Sequence, residues 1–344
     1  MKFRTLASIA GLGLATVSPA LATDITGAGS TFAFPLYSKW AEAYRTTSGN
    51  GLNYQSIGSG GGIRQIKAKT VDFGASDMPL KGEDLQKDGL VQFPSAIGAE
   101  VPAISIPGVE ARQLKLTGPL LADIYLGKVK KWDDPQIKEL NPDVKLPSAG
   151  INVVYRSDGS GTTFVWTDYL SRVSEEWKSK IGANTSVSWP LGVGGKGNEG
   201  VSATVKQIPN SIGYVEYAYA KQNKMAYALV RNKDGKFPVP EIDTFQAAAA
   251  NADWKAAPSY GIILNDQPGE KSWPITSATF VLMQAKSDKP EGSAVALKFF
   301  DWAFSNGDKL ATDLEYVPLP ANVKDMVRAT WKSDVKDTGG KPLF

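Results

Sequence analysis

The chain has 344 residues, with 38 Lys and Arg against 35 Asp and Glu, and its formal charge of +3 gives no clustered basic excess of the kind a nucleic-acid surface needs. It contains neither cysteine nor histidine, which excludes disulfides, thiolate catalysis, zinc–thiolate sites, Ser-His-Asp triads and histidine-ligated metals. Nine Trp and 13 Phe are ample core material, and the length exceeds one usual core, so two domains are expected.

Met1-Lys2-Phe3-Arg4, an apolar run over 6–17, Pro19 and then Ala20-Leu21-Ala22 have the basic start, short apolar centre and A-x-A site of a secretory signal peptide. The run is too short to span a bilayer. Cleavage after Ala22 is expected, leaving residues 23–344 as a soluble, exported and nearly neutral protein. Without cysteine, no lipid anchor is expected.

Ile25 opens a short strand that enters the Gly-rich turn Gly27-Ala28-Gly29-Ser30-Thr31-Phe32. A helix is expected over 33–44, with Pro35 in its first turn and Leu36, Trp40, Ala43 and Tyr44 on one face. An alternating strand over 52–57 leads into Gly58-Ser59-Gly60-Gly61-Gly62, and the next helix begins at Ile63. The strand 71–77 ends in Ser76-Asp77. A long extended segment over 93–106 stops at Pro107-Gly108, and helices follow at 120–126 and 135–140.

A β-branched strand at 151–154 then enters Arg156-Ser157-Asp158-Gly159-Ser160-Gly161-Thr162-Thr163, and helical spacing resumes from Phe164 to Leu170. Ser160 reads as the N-cap, with Thr162 and Thr163 in the first turn. First-turn N–H groups have no internal partner and carry partial positive charge, so with hydroxyls and an Arg beside them they suit a small anion. On this stretch alone an ordinary capped helix with a surface Arg explains the residues equally well.

Strands are expected at 212–217 and 225–230, a loop at 238–241, a helix at 244–251 and a second long extended run at 273–283. Ser293 reads as the cap of an apolar helix through Phe304, and the last helix covers 321–331. Strands and helices mixed throughout imply an α/β fold. The chain is expected to cross between domains in its two long extended runs. That places 23–98 and 274–344 in a discontinuous domain I and 99–273 in domain II.

Other motifs carry less. Gly192-Val193-Gly194-Gly195-Lys196-Gly197 matches G-x-G-x-x-G, but Ser188-Trp189-Pro190 is a poor preceding strand, and a flexible loop is the better reading than a nucleotide site. Asp133-Asp134 and Asn141-Pro142-Asp143 lack the ligand number of a hard-metal site and read as solvated surface. Phe299, Trp302 and Phe304 read as core, and the charges of Ser174-Glu175-Glu176-Trp177-Lys178 as an exposed helix face. What recurs is a hydroxyl at a Gly-rich turn before a helix: Thr31, Ser59, Ser160 and Thr162, joined by Arg156 and the strand-end Asp77. Together they describe an anion cage made mainly of neutral donors.

Thr26-Gly27-Ala28-Gly29-Ser30-Thr31-Phe32, Ile57-Gly58-Ser59-Gly60-Gly61, Asp72-Phe73-Gly74-Ala75-Ser76-Asp77 and Arg156-Ser157-Asp158-Gly159-Ser160-Gly161-Thr162, in that order, resemble the PstS family, the phosphate-binding proteins of bacterial ABC phosphate importers. The likeness extends over essentially the whole mature chain and includes Lys131-Trp132-Asp133-Asp134 and Trp273-Pro274-Ile275-Thr276. It implies a type II periplasmic binding protein: two α/β domains, mixed sheets flanked by helices, closing on one phosphate in the cleft between them. Carried over by motif, Thr31, the N–H of Phe32, Ser59 and Asp77 would bind from the first domain. Arg156, Ser160, the N–H of Gly161 and Thr162 would bind from the second, with Asp158 holding the Arg156 guanidinium. Ser30 and Gly60 depart from the family pattern, which often has Ala and Ser there, but neither is a matched ligand. The implied partners are inorganic phosphate and a membrane ABC permease with its ATPase subunits; a monomer without cofactor or catalysis is expected.

Proton counting agrees with that resemblance. An ionised Asp accepts hydrogen bonds only, and phosphate near neutral pH still has a proton to donate, whereas sulfate has none. The rival readings are a receptor of the same fold for sulfate or molybdate, which Asp77 disfavours, and a phosphoryl-transfer enzyme using Ser160 or Asp77, for which the sequence offers no evident base or Lewis acid.

Overall fold

The computed structural model describes residues 24–344 except 251; the expected leader, residues 1–22, lies outside the described residues. Three short strands, β1 (Ile25–Gly29), β2 (Leu52–Ser56) and β3 (Phe73–Ser76), are joined by the helices α1 (Phe34–Ser48) and α2 (Ser59–Lys67). The sixteen-residue β4 (Leu90–Ser105) follows. The next part of the chain contributes β5 (Asn152–Arg156), α3 (Gly161–Val173), β6 (Val193–Gly195), α4 (Gly197–Gln207), β7 (Ser211–Glu216) and α5 (Tyr217–Gln222). The chain returns through β8 (Thr276–Gln284) and the helices α6 (Pro290–Asn306) and α7 (Ala321–Asp334). Among the described residues no helix is long and apolar enough to cross a membrane.

The main sheet runs β2-β1-β3-β8-β4-β7-β5-β6. β1 pairs parallel with β2 and β3, and β5 pairs parallel with β7 and β6, as helical crossovers require. Antiparallel β8 and β4 sit between these two groups. β4 is buried over all but its last residue and changes partner halfway. From Leu90 to Ala99 it pairs with β8, and from Glu100 to Ser105 with β7. A bulge between Thr279 and Phe280 leaves Ser95 unmatched next to Pro94, which has no N–H to give to a ladder.

Several elements differ from expectation for local reasons. α1 runs past Tyr44 to Ser48, and Gly49 ends it in the left-handed conformation (φ 76°) with its N–H on the Arg45 carbonyl. α2 starts at Ser59 rather than Ile63, so the glycine run is helical and not a turn. A Cβ on Gly62 would lie 2.5 Å from the Ala28 carbonyl oxygen, so the glycine lets this helix touch β1. Residues 192–197 are not a flexible loop: Val193–Gly195 adds to the edge of β5, and Gly197 opens a helix. Tyr217 leaves the strand as the first helical residue, with Glu216 as its cap. The 225–230 stretch makes two short pairings, Ala226–Tyr227 and Leu229–Val230.

α6 begins at Pro290, and Ser293 is buried inside it, hydrogen-bonded to Ser287. The helix expected at 244–251 spans Ile242–Ala249, and residue 251 lies outside the described residues. Phe299 and Phe304 are buried, while Trp302 is only half-buried against Tyr44. Asp134 caps the helix Pro135–Leu140, and Ser174 caps Glu175–Lys180, whose Glu175 and Lys178 are exposed as expected while Trp177 packs into the core.

Candidate functional site

The carboxyl ends of β1, β2 and β3 face those of β5 and β6, the position where open α/β sheets bind ligands. Thr31 and Phe32 follow β1, Ser59 opens α2 after β2, and Asp77 directly follows β3. Arg156 is the last residue of β5, and Ser160, Gly161 and Thr162 form the start of α3. All eight residues named from the sequence come together here, and all are buried.

The β1–α1 turn has its peptides fixed one by one. Three consecutive carbonyls accept from three tyrosines: Ser30 from Tyr54 at 2.8 Å, Thr31 from Tyr219 at 2.7 Å and Phe32 from Tyr316 at 2.6 Å. Carbonyl and N–H point oppositely across a trans peptide. Pinning the carbonyls of Ser30 and Thr31 therefore aims the N–H groups of Thr31 and Phe32 the other way. Burial pushes all three phenols well above their ordinary range, so they remain donors.

Asp77, 1% exposed, is held asymmetrically. Its Oδ1 accepts from the Ser30 and Thr279 hydroxyls, both at 2.6 Å. Its Oδ2 accepts from Ser59 at 3.3 Å and faces Gly161, where an added Cβ would stand 2.4 Å away. Burial pushes the carboxyl above its ordinary value, while the hydroxyls of Ser30, Thr279 and Ser59 and the charge of Arg156 pull it back. Ser30, one of the two departures from the family pattern, thus acts on the site through Asp77.

Arg156, 3% exposed, donates from Nε and Nη2 to the two oxygens of Asp158 at 2.8 and 2.6 Å, and from Nη1 to Thr162 at 3.0 Å. A second proton remains on each terminal nitrogen, which suits two oxygens of a tetrahedral anion. Burial opposes the charge on both partners, but the pair outweighs it, holding Asp158 below and Arg156 above their ordinary values. The Arg156 N–H reaches the Tyr214 hydroxyl at 3.0 Å, and Tyr214 stacks on Trp166, so the domain core sets the strand end. Ser160 caps α3 by accepting from the Thr163 N–H at 2.9 Å. Gly161 and Thr162 occupy the first turn, where N–H groups lack helical partners.

The two halves are in contact. The Gly60 N–H reaches the Gly159 carbonyl at 2.9 Å, and Asn198 on α4 donates to Thr31 at 2.8 Å and to Thr162 at 3.1 Å. Behind the site, where β4 changes partner, Glu100 and Glu216 are register neighbours and fully buried. Burial raises both carboxyls, Glu216 to about 8. Both Glu100 oxygens lack a hydrogen-bond partner among the described residues. Also among the described residues, no group of three or more Asp or Glu is gathered as a metal cluster.

Sequence reasoning did not find Ser30, Thr279, Asn198, the three tyrosines or the Glu100–Glu216 pair. Only Asn198 left a local signal, an amide directly after Gly197 at a helix start.

The sequence matches the PBP superfamily domain over residues 15–307. It is 55% identical to the phosphate-binding protein PstS of Pasteurella multocida, over 94% of each chain. It is 53% identical to the phosphate-binding protein PstS of Haemophilus influenzae, over 94% of this chain and 97% of that one. The fold is shared with a high-affinity periplasmic phosphate-binding protein solved with phosphate bound at pH 8.5, at a TM-score of 0.73 and 21% identity over 93% of this chain and 98% of that one.

Proposed function

The chain belongs to the PBP superfamily and, within it, to the PstS phosphate-binding proteins, and from that premise we propose that it is a periplasmic receptor that closes on one inorganic phosphate and delivers it to a membrane ABC permease with its ATPase subunits. Residues 1–22 serve export and are removed. Residues 23–98 with 274–344 form one lobe and 99–273 the other. The change of β4 partner between Ala99 and Glu100, together with the Glu100 N–H bonded to the Ile275 carbonyl at 2.9 Å, supports that division.

The observation that carries the ligand assignment is the asymmetry of Asp77. Oδ1 is filled by two short hydroxyl bonds, and Oδ2 is the acceptor turned toward Gly161 and the start of α3. Arg156, the hydroxyls of Thr31, Ser59, Ser160 and Thr162 and the N–H groups of Phe32 and Gly161 supply donors to the oxygens of an anion, with Ser59 turning its proton from its long bond to Asp77 Oδ2 toward the ligand. Asp77 takes the proton that phosphate carries and that sulfate and molybdate lack. The receptor acts as a monomer and needs neither cofactor nor catalysis.

The same-fold reading for sulfate or molybdate fails on Asp77, since a fully deprotonated oxyanion would meet a carboxylate. A phosphoryl-transfer reading gains nothing from Ser160, whose oxygen serves as a helix cap. Titration calorimetry of the mature protein tests the proposal. One phosphate should bind per chain, and sulfate in large excess should not displace it; equal binding of both would overturn the assignment.

A further inference from the structure

We infer that Asn198 fixes the direction of the threonine hydroxyls in the anion cage, so that Thr31 and Thr162 can act only as donors toward the ligand. A hydroxyl has one proton to give and two lone pairs to fill. Thr31 Oγ1 accepts from the Asn198 backbone N–H at 3.2 Å and from its Nδ2 at 2.8 Å. Thr162 Oγ1 accepts from Asn198 Nδ2 at 3.1 Å and from Arg156 Nη1 at 3.0 Å. Both hydroxyls have their lone pairs engaged, and their protons are left for the anion. The amide cannot turn round: Asn198 Oδ1 accepts from the Glu216 N–H at 2.9 Å, and a flipped amide would set NH₂ against that N–H. Asn198 is fully buried, so water does not compete for these bonds.

The placement couples this polarity to closure. Thr31 stands on the β1 side of the cleft, while Asn198 and Thr162 stand on the β5–β6 side. The Gly197 N–H next to it bonds Asp158 Oδ1 at 3.0 Å, so one dipeptide at the start of α4 braces the Arg156–Asp158 pair and orients both threonines. When the halves part, Thr31 loses both Asn198 donors and its hydroxyl is free to rotate. The donor set is complete only in the closed form. Asn198 is therefore a positioning residue that acts through two hydroxyls.

This inference rests on the phosphate reading, and a double-mutant cycle separates the two. Phosphate affinity is measured by calorimetry in wild type, Asn198→Ala, Asn198→Asp and each of these combined with Thr31→Val and Thr162→Val, with the unliganded melting temperature as a check on folding. Asn198→Asp keeps the acceptor for the Glu216 N–H but presents an oxygen to both threonines, turning their protons away from the anion. Asn198→Ala should weaken phosphate by about ten- to a hundredfold, and Asn198→Asp by more. In the double-valine background the Asn198→Ala loss should shrink to less than about threefold. If that substitution leaves the protein unfolded, the Asn198→Asp cycle gives the answer, because a penalty from charge alone would persist undiminished without the hydroxyls. Additive losses, or wild-type affinity in either variant, overturn the role of Asn198 while leaving the receptor intact. Failure of the wild type to bind phosphate would instead overturn the function.

Discussion

Arg156→Ala removes the most connected donor in the site. It breaks two bonds to Asp158 and one to Thr162, and leaves the Asp158 carboxylate with the Gly197 N–H, its charge now uncompensated near the anion. The Arg156 side chain is buried, so solvent does little to soften the change. Truncating one partner of a buried, hydrogen-bonded charge pair costs ~2–5 kcal/mol. At ~1.4 kcal/mol per decade that is a fall in phosphate affinity of about thirtyfold to several thousandfold. Arg156→Lys should recover only part of it, since an ammonium is a point charge and cannot hold both Asp158 oxygens and Thr162 while facing the ligand. Calorimetry on the folded variants, with melting temperature measured without phosphate, separates lost affinity from lost fold. Wild-type affinity in Arg156→Ala would refute the reasoning, because the hydroxyls and helix N-termini would then suffice without a buried charge.

Two further outcomes follow from the cleft and its backing strands. Small-angle scattering should show a smaller radius of gyration with phosphate in the wild type; Gly161→Ala should blunt that change, since its Cβ would stand 2.3 Å from Ser59 Oγ and 2.4 Å from Asp77 Oδ2, and an identical compaction in the variant would contradict the close approach. Glu216 holds its proton in the folded state up to about 8, whereas its ordinary value is 4.5. The folded state therefore loses relative stability as pH rises from about 4.5 through about 8, and gains none on the acid side from this group. Melting temperature should fall by several degrees across that window and fall less in Glu216→Gln; parallel curves would show that this carboxyl keeps no such proton.

Much of the site was legible because its signals are local. Ser160 caps a helix three residues away, Asp158 reaches back two residues to Arg156, and the Gly-rich stretch around Ser59 marks the approach to a helix, although that helix starts at Ser59 itself and not at Ile63. What was missed arises from contacts between distant parts of the chain. Thr279 reaches Asp77 across 202 positions, Tyr219 reaches Thr31 across 188 and Asn198 reaches Thr31 across 167. Apart from Asn198 beside its glycine, none of these residues differs in kind from an ordinary strand or helix residue. Thr279 in particular stands at the start of an apolar run and shares its strand face with Ser277, whose hydroxyl also reaches Asp77. The glycine-rich stretch at 192–197 misled because flexibility and close packing call for the same residue; the structure uses it for an edge strand and a helix start.

Competition calorimetry of phosphate and sulfate on wild type and Asp77→Asn shows whether Asp77 distinguishes ligands by their protons. The wild type should favour phosphate by about 10⁴–10⁵, as sites built around one specific ligand proton do. In the variant, Ser30 and Thr279 can still donate to the amide oxygen, and an NH₂ donor replaces the oxygen that faces Gly161. Phosphate binding should largely survive while sulfate gains, narrowing the ratio by about a hundredfold or more. An Asp77→Asn protein that rejects sulfate as strongly as the wild type would contradict this role of Asp77 and move selectivity to the shape of the cage and its hydroxyls.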